Sequence, residues 1–218
     1  MAKRSTGTVA EEEAVGKPKT TEGGAARGAG RALPLLLGSA SARRRKILRE
    51  LGLRFEVAAP DLDEHIYADD PRRTAVENAE RKNRWCRARH PGYAVITADT
   101  VIDLDGRLIG KPASMEEARS FLRRFSGRAH RVITGVAFSD GGAAPTVEAV
   151  ESQVAFRRLD EGAIEEYLRG VDPMDKAGAY DIDQRPDLII ESFSGSRTNV
   201  MGLPAERVLE WLRGRSPG

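Results

Sequence analysis

The stretch Pro34-Leu35-Leu36-Leu37-Gly38-Ser39-Ala40-Ser41-Ala42-Arg43-Arg44-Arg45 decides the architecture. Three leucines between a proline and a glycine suit a short buried strand. Ser41 has the side chain of a helix N-cap, and Ile47, Leu48 and Leu51 then recur at helical spacing until Gly52. A buried strand therefore runs through a turn of small residues straight into a helix. That turn offers two hydroxyls and the free N–H groups of a helix N-terminus. Three arginines in the first turn oppose the helix dipole, which favours anions at this end. Helix N-termini bind phosphate through backbone donors, and arginine adds bidentate forks. The segment reads as a phosphate-binding turn; the plainer alternative is a solvated basic helix face.

Outward from this unit, helices and strands alternate. Phe55-Glu56-Val57 is strand-like. Residues 72–90 are charged, with Ala75, Val76, Ala79, Asn83 and Cys86 spaced along one helical face. Residues 93–98 form a second buried strand ending at Asp99-Thr100, and Asp105-Gly106 is a hairpin signal between 101–104 and 107–109. Residues 114–125 are amphipathic, through Met115, Ala118, Phe121, Leu122 and Phe125. Two long strands, 131–138 and 147–156, are joined by a Gly141-Gly142 turn. Asp160 caps a helix through Leu168, 188–193 is a strand, and 204–213 is the closing helix. The pattern is mixed α/β, without an internal repeat or a linker within 33–218.

Charge and composition narrow the function. Of the 218 residues, 35 are Lys or Arg and 33 are Asp or Glu. Residues 1–32 hold six of the basic and four of the acidic residues, so residues 33–218 carry 29 of each and are formally neutral. A nucleic-acid binder shows a basic excess; this body has none, and aromatics are only 6% with no stacking cluster. No run approaches the roughly 20 apolar residues of a membrane span, and no apolar segment follows the N-terminal Met-Ala-Lys-Arg as in a secretory signal. Cys86 is the single cysteine, and His65, His90 and His130 are scattered, which excludes a disulfide framework and a Cys or His metal cluster. The expected protein is soluble and cytoplasmic. Residues 1–32 contain no Leu, Ile, Phe, Trp or Tyr and read as a disordered extension. Within them, Gly16-Lys17-Pro18-Lys19-Thr20 lacks the glycine spacing and preceding strand of a phosphate loop.

Three further features belong with the basic turn. Thr97-Ala98-Asp99-Thr100 places a carboxylate at the end of an apolar strand, where open α/β sheets do chemistry. Gly110-Lys111-Pro112 follows the hairpin and can project a second cation. Asp61, Asp63 and Glu64 form an acidic cluster that offers hard oxygen ligands to Mg²⁺ beside a phosphate site.

Together these residues resemble the Maf family. The resemblance rests on Leu36 to Arg44, on Phe55-Glu56-Val57 with Asp61-Leu62-Asp63-Glu64, and on Ala98-Asp99-Thr100-Val101. Gly110-Lys111-Pro112, Ser126-Gly127-Arg128 with His130, and Thr134-Gly135-Val136-Ala137 extend it. Asp175-Lys176-Ala177-Gly178-Ala179-Tyr180 and Asn199-Val200-Met201-Gly202-Leu203-Pro204 complete it, in family order from about residue 34 to 213. It implies a nucleoside triphosphate pyrophosphatase that splits the α–β phosphate linkage, a mixed α/β fold with flanking helices and a deep cleft similar to inosine triphosphatases, and a homodimer. It also implies roles. Ser39, Arg43 and Arg44 match the phosphate-binding loop, Glu64 the acidic residue after the second strand, and Lys82 the lysine of the next helix. Asp99 matches the proton acceptor and Lys111 the lysine before proline. Glu64 and Asp99 would hold a divalent cation, Mg²⁺ or Mn²⁺, and Arg43, Arg44, Lys82 and Lys111 would balance the triphosphate.

The chain departs from the family twice. Ala42 stands where proline is usual, which costs rigidity rather than chemistry. After Ala-Gly-Ala-Tyr the usual Gly-Ile-Gln is replaced by Asp181-Ile182-Asp183, with Gln184 one place later. That glutamine is linked to base specificity, so Asp183 either takes its place or turns outward while Gln184 restores the contact. Arg43 and Thr100 match the subgroup preferring dTTP and UTP, whereas the subgroup acting on 7-methyl-GTP carries Trp in the loop and Gln after the aspartate. The rival reading is a non-catalytic nucleotide-binding regulator of cell division; Asp99, Glu64 and Lys111 argue for turnover. Because residues 1–32 lack core-forming side chains, deleting them should leave the thermal unfolding midpoint unchanged in a calorimetric scan. A large loss would mean that they dock on the body.

Overall fold

The computed structural model describes residues 32–141 and 144–215. The disordered reading of 1–32, apart from residue 32 itself, and the Gly142 half of the glycine turn lie outside them. The strands are β1 (Leu35–Gly38), β2 (Phe55–Ala58), β3 (Ala94–Leu104), β4 (Arg107–Ile109), β5 (Ala129–Asp140), β6 (Thr146–Phe156) and β7 (Ile190–Ser194). The helices are α1 (Ala42–Glu50), α2 (Pro71–Arg89), α3 (Met115–Phe125), α4 (Glu161–Gly170), α5 (Pro186–Ile189), α6 (Arg197–Val200) and α7 (Ala205–Gly214), with one 3₁₀ turn at Ala177–Ala179. Among the described residues no helix is long and apolar enough to cross a membrane.

The leucine run is buried at every position because it serves two layers. Strand side chains alternate between faces. Leu35 and Leu37 join a large core with Ile47 and Leu48 of α1, Leu122 and Phe125 of α3, Ile164 and Tyr167 of α4, and Val208 of α7. Leu36 points the other way and packs with Val95 and with Cys86 of α2. β3 alternates likewise: Ala94, Ile96, Ala98 and Ile102 enter the large core. Thr97 faces α2 instead and donates to the Ala79 carbonyl at 2.7 Å. The result is one mixed sheet with α2 alone on one face and the remaining long helices on the other.

The seven strands are ordered β2-β1-β3-β5-β6-β7, with β4 pairing with β3. β2, β1 and β3 are parallel and the other pairs antiparallel. β1 accompanies β3 only from Ala94 to Ile96, and β4 rejoins that edge at Ile102. Between them, residues 97–101 have no strand partner on that side among the described residues. On its other edge β3 is paired continuously with β5, from Ala94↔Asp140 to Asp103↔Arg131.

That pairing revises one expectation. Asp99 does not end a strand; it lies inside the 11-residue β3, which β5 carries on through the polar Asp99-Thr100. A second revision concerns 188–193. Leu188 and Ile189 are helical, since Pro186 occupies the first turn of α5 and its fixed φ starts a helix there, and the strand begins at Ile190.

Opposite Asp99 in the register stands Gly135. A Cβ there would lie 2.3 Å from the Ala75 carbonyl oxygen and 2.6 Å from the Val76 nitrogen. The missing side chain lets the backbone of α2 lie directly on β5. Gly135→Ala should therefore push α2 off the sheet and cost about 3 kcal/mol, the upper part of the overpacking range, as read by urea denaturation.

The large core also holds an aromatic cluster. The His130 ring packs at a tilt against Phe125 and edge-to-face with Phe156 and Tyr180, and its Nε2 lies 2.8 Å from the Tyr180 hydroxyl. Burial pushes the His130 imidazole down to about 4. The unfolded chain, with an ordinary histidine near 6.5, thus takes up the proton first. His130 contributes fully above that value, and stability should fall as the pH drops from about 6.5 to 4, by about 3 kcal/mol. Replacing His130 with Gln should flatten that part of the stability profile.

Candidate active site

The strand-to-helix turn is ordered by its own small side chains. Ser41 caps α1, its Oγ accepting the Arg44 N–H, a contact type worth about 1 kcal/mol. Ser39 Oγ accepts from the Ser41 N–H at 3.2 Å and from Arg44 Nη1 at 3.1 Å. Arg44 folds back across the open edge of β3. Its Nε donates to the Gly202 carbonyl at 2.7 Å and its Nη2 to Thr100 Oγ1 at 3.1 Å. Thr100 Oγ1 lies 3.0 Å from Thr134 Oγ1, which donates to the Asn199 carbonyl. Asn199 is fully buried and donates from Nδ2 to Val132 O and Ser152 Oγ. The Asn199 to Pro204 motif is thus the buttress behind Arg44.

This guanidinium is set in place by neutral acceptors. No carboxylate lies within ion-pair distance of it among the described residues, and burial holds its pKa below the usual arginine value. A guanidinium has five N–H donors; three are spent on Gly202, Ser39 and Thr100, leaving one on each terminal nitrogen. A positive charge without a protein partner favours an anionic ligand.

Across the gap, β3 and the loop before α2 supply the opposite charge, as Asp99 and Glu64, and α2 supplies Lys82 between them. Asp99 is buried. Lys82 Nζ lies 2.5 Å from Asp99 Oδ1 and 3.0 Å from Glu64 Oε1, bridging the two carboxylates. Their environments push them apart. Burial raises the Asp99 carboxyl above its ordinary range, with Lys82 opposing and Glu64 reinforcing the shift. Glu64 is exposed; what burial it has works to raise it, but the Lys82 ammonium wins and holds it below the usual range. A raised carboxylate beside a lowered one is the pattern of a proton acceptor next to a permanently ionised partner.

Ser39, Arg43, Arg44, Glu64, Lys82, Asp99, Thr100 and Lys111 all line one cleft of about 1080 Å³. Eight of the nine residues expected at the site are therefore brought together; Asp183 is not. Its carboxylate is turned away, accepting from Lys46 Nζ at 3.0 Å and from Arg197 Nη2 at 2.8 Å. Gln184 does not line the cleft either; its Nε2 donates to Asp181 Oδ2 at 3.2 Å. The residues of this segment that do line the cleft are Asp181 and Ile182; Asp181 lies 3.8 Å from Arg43 Nη1, with its Oδ1 accepting the Asp183 N–H.

Sequence reasoning missed Asp181 and Asn78. Asn78 is 2% exposed and lines the cleft. Its one trace in the sequence is its spacing, three residues after Ala75 and four before Lys82, which puts it on the buried face of α2 without marking it for the site.

A divalent cation is tested by the donor set. Among the described residues no three His, Cys, Asp or Glu side chains gather to hold a metal. Glu64 and Asp99 supply two sets of hard oxygens, and the Lys82 ammonium already occupies a cation's place between them. That set fits Mg²⁺ or Mn²⁺, since Mg²⁺ is commonly held by one or two carboxylates together with substrate phosphates rather than by a protein cage.

Known proteins resemble this chain over most of its length. A family profile described as Maf-like protein matches residues 34–215. A dTTP/UTP pyrophosphatase of Symbiobacterium thermophilum is 44% identical over 179 residues, 82% of this chain and 92% of the relative. One of Aromatoleum aromaticum is 41% identical over 187 residues, 78% of this chain and 89% of the relative. Among solved structures, a HAM1 protein from Coxiella burnetii superposes with a TM-score of 0.52 at 17% identity, covering 84% of this chain and all of that one; this likeness concerns the fold. With a profile match across nearly the whole described chain, this protein belongs to the Maf family.

Proposed function

We propose that the protein is a nucleoside triphosphate pyrophosphatase acting on dTTP and UTP, releasing the nucleoside monophosphate and pyrophosphate. The observation that carries this reading is the Arg44 guanidinium, fixed by neutral acceptors and facing, across one cleft, a buried carboxylate of raised pKa. The names of the relatives at 44% and 41% identity point to the same activity and substrates. A pure nucleotide binder gains nothing from burying Asp99 beside Glu64, so the regulator reading is not favoured.

The cleft divides the work. The small-residue turn and the free N–H groups of Arg43 and Arg44 hold phosphate oxygens, with Lys111 adding a further cation. Lys82 joins α2 to both carboxylates and keeps them in place. Asp99 accepts the proton of a water whose oxygen attacks the α-phosphorus. The bond from that phosphorus to the bridging oxygen breaks, and pyrophosphate leaves. A bound Mg²⁺ or Mn²⁺ supplies neutralisation of the crowded phosphate oxygens and acidifies nearby water. We further propose a cytoplasmic homodimer, following the family resemblance; sedimentation velocity tests the dimer.

The pyrimidine preference survives the loss of the usual glutamine because Asp183 is drawn out of the cleft by Lys46 and Arg197. No carboxylate from that position then repels the base carbonyls. Asp183→Gln should accordingly leave the ranking of triphosphates unchanged in a pyrophosphate-release panel run with Mg²⁺ and with Mn²⁺. In the same panel Asp99→Asn, which keeps shape but removes basicity, should lower turnover ~10²-fold or more with the fold intact. Near-normal turnover of Asp99→Asn would remove Asp99 from its role.

A further inference from the structure

We propose that Asn78 is a positioning residue for this reaction: its amide fastens the Glu64 loop to α2 and so sets Glu64 against Asp99. The proposal rests on the function assigned above. Residues 59–70, between β2 and α2, contain neither helix nor strand. Such a segment is placed only by individual contacts, yet it carries Glu64. Asn78 Oδ1 accepts the His65 N–H at 2.9 Å, and Asn78 Nδ2 donates to the His65 carbonyl at 2.9 Å. One side chain thus satisfies both backbone groups of one residue, as a neighbouring strand would. A carboxamide does this with two separate atoms, an acceptor oxygen and a donor nitrogen; the Thr74 hydroxyl does it with one at Tyr67, accepting the N–H at 2.9 Å and donating to the carbonyl at 3.2 Å. Since His65 follows Glu64 directly, the clamp acts one residue from the carboxylate.

The same amide reaches the second carboxylate. Its Nδ2 lies 3.5 Å from Asp99 Oδ2, a long contact that orients rather than binds. Lys82 lies one helical turn further along α2 and bridges Glu64 and Asp99. Two neighbouring contacts hold the flanks of the loop: the Tyr67 N–H donates to Thr74 Oγ1, and Arg81 Nη1 to the Asp63 carbonyl. Arg81 thus holds the residue before Glu64 through one carbonyl and Thr74 holds a residue three places after it, whereas Asn78 holds both backbone groups of the residue that follows Glu64. The plainer alternative is a core amide that contributes to stability alone.

The experiment separates these roles. Asn78→Leu keeps the volume and removes every hydrogen bond; Asn78→Asp keeps the acceptor and loses the donors. In metal-free, nucleotide-free protein, amide hydrogen exchange of 61–67 should accelerate in Asn78→Leu while the protection of α2 is retained. Loss of a group that orients ligating side chains typically costs 10- to 100-fold. Turnover should fall by about that factor and the half-saturating Mn²⁺ concentration should rise, with KM for the triphosphate changing far less. Asn78→Asp, which still accepts from His65, should show slower loop exchange than Asn78→Leu, and it carries the test if the leucine variant does not fold. Unchanged exchange, or unchanged turnover and Mn²⁺ dependence in a folded variant, overturns the proposal. Absence of pyrophosphate release from the unsubstituted protein would instead sink the assigned function, while the exchange measurement still judges the clamp.

Discussion

Everything in this molecule that bears on chemistry depends on one incomplete sheet edge. β3 loses β1 after Ile96 and gains β4 only at Ile102. The five residues between them remain extended because β5 pairs with them on the other side. A strand held on one edge and open on the other shows successive side chains to two different layers. Asp99 therefore emerges toward α2 and Lys82, while Thr100 emerges toward Arg44 and the Gly202 carbonyl. Opposite charges approach one gap from two faces of the sheet without meeting each other.

Two close approaches keep the gap in register. At the end of β1, a Cβ on Gly38 would lie 2.5 Å from Thr97 Cγ2 and 2.6 Å from Cys86 Sγ, so glycine lets the strand-to-helix turn begin this near β3. At Gly135 the same argument holds for α2 against β5. Polar contacts then fix the helix: Thr97 donates to the Ala79 carbonyl, and Asn83 Nδ2 to the Ala137 carbonyl. Lys82 and Asn78 inherit their positions from that docking, and the loop with Glu64 is fastened to them.

The parts legible in the sequence were those encoded by neighbours in the chain. Leu35 to Arg45 has the residues of a strand, a turn and a capped helix in order, and it folds as such. The residues from Ser39 to Lys111 that line the cleft lie on that unit and its immediate successors, and Lys82 among them was reached through the family resemblance rather than through local pattern. What escaped depended on distant partners. Asp99 looked like a strand end because a polar pair follows an apolar run; the strand continues only because β5, some 35 residues on, supplies the ladder. Asp183 looked available to a base because nothing local occupies it; Lys46 and Arg197, from two other helices, do. Asn78 was hidden by belonging to an ordinary amphipathic pattern, where a buried amide is visible only once its partner loop is known.

The central claim is that water attacks the α-phosphorus of a triphosphate held between the Arg44 turn and Asp99. It is tested most directly by turnover of dTTP in ¹⁸O-labelled water, with the label located by mass spectrometry. The account expects one labelled oxygen in the thymidine monophosphate and none in the pyrophosphate. Label in the pyrophosphate, or release of orthophosphate in its place, would contradict it.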